Sequence, residues 1–365
     1  LKVAIFEYIC GSGLFRDDAV DGHPSPCSAL LREGYAMLSA LACDMIDAGI
    51  EVESPLEASI AARPRWRTSG DTPWKWSPVP YDPHRSIDEV ARRWIASICS
   101  CDAAIVIAPE LDGILPQVTA QLRESGIPVL AGDEPFLITA SDQWETCRAW
   151  KMAQVLHPDT YLLEDFLRST PVDFHDRAWV VKRRDSAGCV GMQRFENSRK
   201  LVQHAEWLLD RRTVSDPPAD CWIVQPWIPG RAASMAVLCG HEPRSLGAFE
   251  QRIERFGDGS ASEWGYLGGD GPIPGVTLPD LNRFAKRILK AIPGLPRGWI
   301  GIDFMIQPNG QWCAIEVNPR LTTSYLGYRK WYGHALARSW ACGDSLPIEL
   351  QEFPRVCFSA EAFEG

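Results

Sequence analysis

The sequence predicts an α/β protein, with a doubly wound parallel domain first and an α+β part after it. Three observations predict this. Short apolar runs such as KVAIF and AAIVIA alternate with helical periodicity up to about Ala140, the order that covers a parallel sheet with helices. Residues 232–240 and 244–255 read as a pair of antiparallel strands. A second pair, GWIGIDFMI and QWCAIEVN, flanks Pro308-Asn309-Gly310, and Asn-Gly supplies the positive φ angles of a two-residue hairpin turn.

In chain order, Lys2 to Phe6 is a buried strand, followed by a turn through Gly11-Ser12-Gly13. Ser28 to Ala48 is a helix, because Leu31, Leu38, Leu41 and Met45 share a stripe and Gly49 stops it. Ile50 to Glu53 is a second strand. Pro55 to Arg85, rich in Pro, Trp and Arg, is irregular, with its Trp-rich part at 64–80 read as a lid or surface insertion. Helices at 87–100 and 113–125 alternate with strands at 103–108 and 127–131. GxGxxG is missing after the first strand, which argues against a dinucleotide site, but glycines there line the crevice at the carboxyl ends of the strands.

Ser141-Asp142 caps a helix that ends before Pro158. Strands follow at 178–182 and 222–227, with a helix at 197–212 between them. Residues 256–275, rich in glycine, read as an open loop; 278–291 is a helix leading into the hairpin, and a last helix runs to about Ala341.

With the turn at Asn309-Gly310 the hairpin register follows: Gln311 opposes Pro308, Trp312 opposes Gln307, and Glu316 falls opposite Asp303. Ile302, Phe304, Ile306, Cys313, Ile315 and Val317 then face the core; Asp303, Met305, Ala314, Glu316 and Asn318 face the other way. Opposed carboxylates roughly 5 Å apart at Cβ repel unless a cation or proton lies between them. Two carboxylates and an amide oxygen are hard ligands that suit Mg²⁺ completed by water and phosphate. An exposed sheet face with scattered polar residues is the bland reading, disfavoured because the apolar alternation pins the register.

The 365 residues suffice for two or three domains, and 23% charged with 45% hydrophobic residues is ordinary globular composition. A net charge of −10 argues against a nucleic-acid or anionic-membrane partner. Twelve scattered cysteines without a CxxC pair suggest reduced thiols in a cytoplasmic protein, and the seven histidines lack metal-ligand spacing. LKVAIFEY has too short an apolar run for a signal peptide, and no run approaches a membrane span.

WVVKRRDSAGCVGM is a strand carrying Lys182, then a small-residue loop, which offers charge and N–H groups to phosphate without being a GxxxxGK[ST] loop. WIVQPWIPG is an apolar strand with one polar residue, Gln225, running into a hinge able to hold a purine. Alone, the loop reads equally as a basic turn on a surface hairpin, and the hinge strand reads better as core.

These segments, in this order, resemble the ATP-grasp superfamily: the lysine strand with its loop, the hinge QPWI, and IDFM…AIEVN with its Asp–thirteen–Glu–two–Asn spacing. IFEYICGSG, LLREGYAML, IPGRAASM and EVNPRLTTSYLGY look like the tyramine–glutamate ligase group of methanofuran biosynthesis. The resemblance implies an ATP-grasp fold: a pre-ATP-grasp α/β domain at 1–140, a lid subdomain at 141–228 and a catalytic subdomain at 229–365. It implies an ADP-forming ligase that makes an amide from a small-molecule carboxylate and an amine through an acyl phosphate.

It also implies roles. Asp303, Glu316 and Asn318 hold one or two Mg²⁺ ions, with Mn²⁺ as a substitute, that bridge the ATP phosphates. Lys182 neutralises phosphate charge, and the loop from Ser186 through Gly188 to Gly191 closes over it. Gln225 to Ile228 hold the adenine, with the backbone of Trp227 and Ile228 reading its edge and Met305 as its floor. Arg320 stabilises the transferred phosphoryl group and the oxyanion. Thr322, Thr323, Ser324 and Tyr325 face the acceptor carboxylate; Arg252 and the Gly268-Gly269 loop line the acyl site; Glu33 and Gly34 close the cleft. Two positions depart from the pattern: Gln143 stands where many relatives carry a phosphate-binding Lys, and Ala232 where they carry a ribose-binding Glu. An ATP-binding pseudoenzyme acting as sensor or scaffold, and an ATP-grasp kinase, stay open as alternatives, as does a homo-oligomer.

Overall fold

The computed structural model describes residues 1–13, 26–61, 74–80, 86–98, 100–168, 177–186, 191–210, 219–256, 263–346 and 353–359. The N-terminal elements are β1 (Lys2–Glu7), α1 (Pro26–Asp47), β2 (Glu51–Glu57), α2 (Ala58–Ala61), β3 (Lys75–Val79), α3 (Ile87–Ser97), β4 (Ala103–Ile107) and α4 (Ile114–Glu124). The strands form a parallel sheet in the order β3-β2-β1-β4. α1 presents Leu38, Leu41 and Met45 to one side of it, and Gly49 ends the helix with φ +78°. Trp94 of α3 and Leu115, Val118 and Leu122 of α4 cover the other.

Two expectations are corrected here. Part of the irregular region is strand: β2 extends through Pro55 to Glu57, and β3 includes Pro78, which an edge strand tolerates. Residues 64–73 of the Trp-rich insertion lie outside the described residues. Conversely, 127–131 contributes only a parallel bridge, Ala104 to Val129, and a bridge from Ala131 to Gly298.

Next come α5 (Glu134–Ala140), α6 (Gln143–Met152), β5 (Tyr161–Leu162), α7 (Leu163–Arg168), β6 (Trp179–Arg183), β7 (Gln193–Phe195), α8 (Ser198–Asp210) and β8 (Trp222–Pro226). The strands form a small antiparallel sheet, β5-β8-β6-β7, backed by Phe166 of α7 and by Leu201 and Ala205 of α8.

The last part holds β9 (Arg231–Cys239), β10 (Pro243–Phe256), β11 (Glu263–Gly271), α9 (Leu278–Ala291), β12 (Gly298–Ile306), β13 (Trp312–Asn318), α10 (Tyr325–Tyr332), α11 (Ala335–Cys342) and β14 (Val356–Phe358). Its sheet runs β13-β12-β9-β10-β11-β14. β11 replaces the predicted glycine-rich loop: its glycines fit where a side chain would collide with Phe358 or Phe249. On one face Ile300, Ile302 and Phe304 meet Leu281, Ala285, Ile288 and Leu289 of α9, an i, i+4, i+7, i+8 stripe. The Thr277 hydroxyl accepts the N–H of Asp280 and starts that helix. On the other face Trp299 joins α10, α11 and α1 in a core shared with the N-terminal sheet. Among the described residues no helix is long and apolar enough to cross a membrane.

Asp44 of α1 is a fastening between the first and last parts. Its Oδ1 accepts from Arg329 Nη2 at 2.7 Å, and its Oδ2 from Tyr325 Oη at 2.7 Å and Arg329 Nε at 3.0 Å. Asp44→Ala leaves two donors unmatched in a largely buried place and is expected to cost about 2–4 kcal/mol, read as a lowered urea midpoint. Arg329→Met in the Asp44→Leu background is expected to recover much of that loss, because no unpaired charge remains.

Candidate active site

β12 and β13 put Asp303 directly opposite Glu316, as expected, but by a different route. The connection is a three-residue loop: Gln307 N–H donates to Gln311 O, Gly310 N–H donates to Gln307 O, and only Gly310 takes positive φ, at +82°. This shifts the register by one from the predicted two-residue turn, so Ile306 pairs with Trp312 and Phe304 with Ala314. An irregularity at Ile315 shifts it back, and Asp303 meets Glu316. The faces near the turn are therefore corrected. Ala314 packs in the core with Phe304, Cys313 leaves that face, and Ile315 borders the cavity described next.

That cavity, of about 490 Å³, lies where the three sheets meet, a size suited to a small ligand. Asp303, Glu316, Asn318, Met305 and Arg320 line it from the hairpin side. Neutral donors hold the two acids. Asp303 Oδ1 accepts from Gln251 Nε2 at 3.1 Å and Oδ2 from Asn318 Nδ2 at 3.2 Å, while Glu316 Oε2 accepts from Gln143 Nε2 at 2.6 Å. Gln143 is the N1 residue of α6, whose cap Asp142 is gripped by Arg184 through Nε at 2.9 Å. Gln143 Oε1 is buried with no partner among the described residues. So the neutral amide at the departing position binds an acid of the hairpin.

Burial pushes both carboxyls up from their ordinary range, against the opposing pull of Lys182, and their mutual repulsion adds to the rise at Glu316. The residues fit a hard divalent ion: two half-buried acids and a buried amide line the cavity, with Lys182 and Arg320 as the cations acting on them among the described residues. Among the described residues no group of three or more His, Cys, Asp or Glu side chains gathers as a ligand set. A metal here therefore needs phosphate and water to complete its shell.

The opposite wall comes from the small sheet. Lys182 of β6, Ser186, Gln225 of β8, Trp227 and Ile228 all border the cavity; Gly188 lies outside the described residues. Gln225 points its amide inward, Nε2 donating to Thr160 Oγ1 at 2.9 Å. The Trp227 N–H is already given to Ala178 O at 2.8 Å, so it is not the group of the expected edge-reading pair that would meet a base. Gly230 lets the hinge descend onto β12: a Cβ there would sit 2.4 Å from Ile306 O. Ala232 lines the cavity opposite Met305 on β12. At the mouth the Arg194 guanidinium lies 4.2 Å over the Trp227 ring, which neighbours Trp264.

Arg320 leaves β13 toward the N-terminal sheet and is clamped by Glu110, Nε to Oε1 and Nη2 to Oε2, both at 2.8 Å. Thr322, Thr323, Ser324, Glu33 and Gly34 border this end, with Thr322 Oγ1 and Ser324 Oγ 2.8 Å apart. Three expected residues lie elsewhere. Tyr325 is buried against α1 with its hydroxyl on Asp44. Arg252 turns to the far side of β10, donating to Phe358 O at 2.8 Å, and Gly268 packs under that same carbonyl. Residues not anticipated are Glu7 at the end of β1, Glu110 just past β4, and Ser234 and Gln251 around Asp303. The strand-end rule marked the crevice but not which side chains would fill it.

Because both hairpin carboxyls are raised, their protonated forms suit the metal-free fold. That stabilisation is complete below the ordinary carboxyl range and is lost as pH rises through the raised values. Without divalent ion, the melting temperature is expected to fall between about pH 5 and about pH 8.5, and Mg²⁺ with ATP to restore it. Glu316→Gln is expected to flatten that pH dependence and to weaken the response to Mg²⁺-ATP.

The comparisons with known proteins agree with this geometry. The profile of the ATP-grasp domain matches residues 140–324, and that of the pre ATP-grasp 3 domain residues 60–134. Among curated proteins none matches the chain in sequence. Among solved structures, an ATP-grasp superfamily protein of Archaeoglobus fulgidus superposes with TM-score 0.62 at 22% identity, covering 97% of this chain and 91% of that one. N5-carboxyaminoimidazole synthetase of Staphylococcus aureus gives 0.61 at 14% identity (95% and 78% covered), and an L-amino acid ligase of Bacillus licheniformis 0.60 at 12% (93% and 74%). With one profile spanning more than half of its length, the chain belongs to the ATP-grasp family and carries the N-terminal pre-ATP-grasp domain.

Proposed function

We propose that this protein is an ADP-forming ligase that joins a carboxylate to an amine through an acyl phosphate. The finer reading takes L-glutamate as the carboxylate and tyramine or a similar amine as the nucleophile, in the manner of the tyramine–glutamate ligase group. The observation that carries the proposal is the facing pair Asp303 and Glu316, with Asn318 beside them, across a cavity from Lys182. The names of two structural neighbours support it: an L-amino acid ligase, and a biotin carboxylase domain of Hydrogenobacter thermophilus in complex with MgADP.

Asp303, Glu316 and Asn318 would hold Mg²⁺, which when bound offsets phosphate charge and leaves the γ-phosphorus open to attack. Lys182 neutralises the phosphates from the small sheet. Ser186 borders the cavity on the same side, at the phosphate end. Arg320, its plane set by Glu110, faces the charge that grows on the transferred phosphoryl group and on the carbonyl oxygen. Hinge residues Gln225 to Ile228, with Met305, take the adenine, and Thr322 to Ser324 take the acceptor carboxylate.

The test is ADP and phosphate release with L-glutamate against a panel of amines. Amine-dependent ADP matched by free phosphate is the expected result, with loss of at least about 1,000-fold in Glu316→Ala. ATP binding without turnover for any pair supports a sensor or scaffold instead, and phosphate retained on a substrate supports a kinase.

A further inference from the structure

We propose that Glu7 and Glu33 form the subsite for the amine, a primary ammonium carried on an apolar body, and that Glu7 takes the proton that frees its nitrogen for attack. This rests on the ligase reading and locates that reaction's second substrate.

Both residues come from the N-terminal domain and border the cavity at the end occupied by Arg320 and Thr323. Glu7 is only 2% exposed. Its Oε2 accepts the Cys10 N–H at 2.6 Å, the Cys10 side chain and the Ile9 backbone also act on the carboxyl, and its Oε1 lies under Gly34 of α1. Among the described residues Glu33 accepts a single long bond, 3.4 Å, from Thr323 Oγ1. Neither forms an ion pair with a described residue. Arg320, whose charge acts on both, is already bound by both oxygens of Glu110. Three carboxylates thus share one guanidinium, and two of them are left facing a cavity. Buried charge in that state calls for a visiting cation.

An ammonium group fits. Its three N–H bonds match two carboxylates and a neighbouring hydroxyl such as that of Thr323. α1 supplies the remainder. Leu30, Glu33, Gly34 and Met37 all border the cavity, and their i, i+3, i+4, i+7 spacing puts one acid within an apolar stripe. Gly34 lets that helix pass directly over Glu7, since a Cβ there would lie 2.5 Å from Glu7 Oε1. Burial raises the Glu7 carboxyl to about 7, so it exchanges a proton near neutrality.

The step balances. The ammonium gives one proton to the Glu7 carboxylate, and its nitrogen lone pair forms a bond to the acyl carbon. The carbon–oxygen bond to phosphate breaks, its electron pair leaving with the phosphate. The second proton lost from nitrogen ends on that phosphate, and Glu7 returns its proton to water.

The test sets tyramine against hydroxylamine, which is small and uncharged at neutral pH, with ATP and a panel of amino-acid carboxylates. Glu7→Gln and Glu33→Gln keep an acceptor for their neighbours, and thermal melts check their folds. The ratio of tyramine amide to hydroxamate is expected to fall by about 10- to 100-fold in each, the size of one lost charged contact. KM for tyramine should rise in Glu33→Gln, and kcat should fall in Glu7→Gln. A ratio equal to wild type overturns the subsite while leaving the ligase reading intact. Absence of hydroxamate from the wild-type protein with every carboxylate overturns both. Calorimetry of tyramine with Glu33→Gln is a readout without turnover: wild-type affinity there also overturns the subsite.

Discussion

Asp303 and Glu316 face each other at the cavity, held by amides and Ser234 and balanced among the described residues by Lys182 and Arg320, and much of the molecule is arranged around that repulsion. β9 and β10 bring Ser234 and Gln251 to Asp303, and α6 brings Gln143 to Glu316. The apolar face of β12, packed on α9, keeps both acids turned toward the cavity. Neutral donors orient the acids without neutralising them, so the pair stays ready for a cation that arrives with its own ligands.

The rest of the fold brings the reacting partners to that pair. Arg183 of β6 bonds Asp185 and, across the cleft, Asp112 of the N-terminal domain; Asp112 N–H in turn donates to Asp185. Glu110 reaches over to Arg320, and Asp44 to Arg329 and Tyr325. These contacts make the first domain a wall of the cavity. They also explain why the arginine that faces the transferred group depends on a glutamate 210 positions earlier in the chain.

The hairpin was legible in the sequence because alternation and an Asn-Gly bend are local signals. Alternation sets Asp303 opposite Glu316 but does not show the path to it, in which a three-residue loop and the irregularity at Ile315 offset each other. A bulge is set by tertiary fit, and period-two counting has no means of showing it. β11 read as a loop because its glycines signal turns locally, whereas here they make room for Phe249 and Phe358. The resemblance puts Arg252 at the acyl site and proximity to the metal ligands in the chain puts Tyr325 at the acceptor carboxylate, but strand parity and the pull of Asp44 turn them away. Glu7 and Glu110 each look like one acid after an apolar strand; only the assembled sheets set them beside the cavity.

Calorimetric titration of ATP into the wild-type protein, with Mg²⁺ and then with a chelator in its place, tests the central claim most directly. The account predicts that ATP binds at least about 100-fold more weakly without the ion, since two carboxylates then confront the phosphates unshielded. Equal affinity under the two conditions would contradict it.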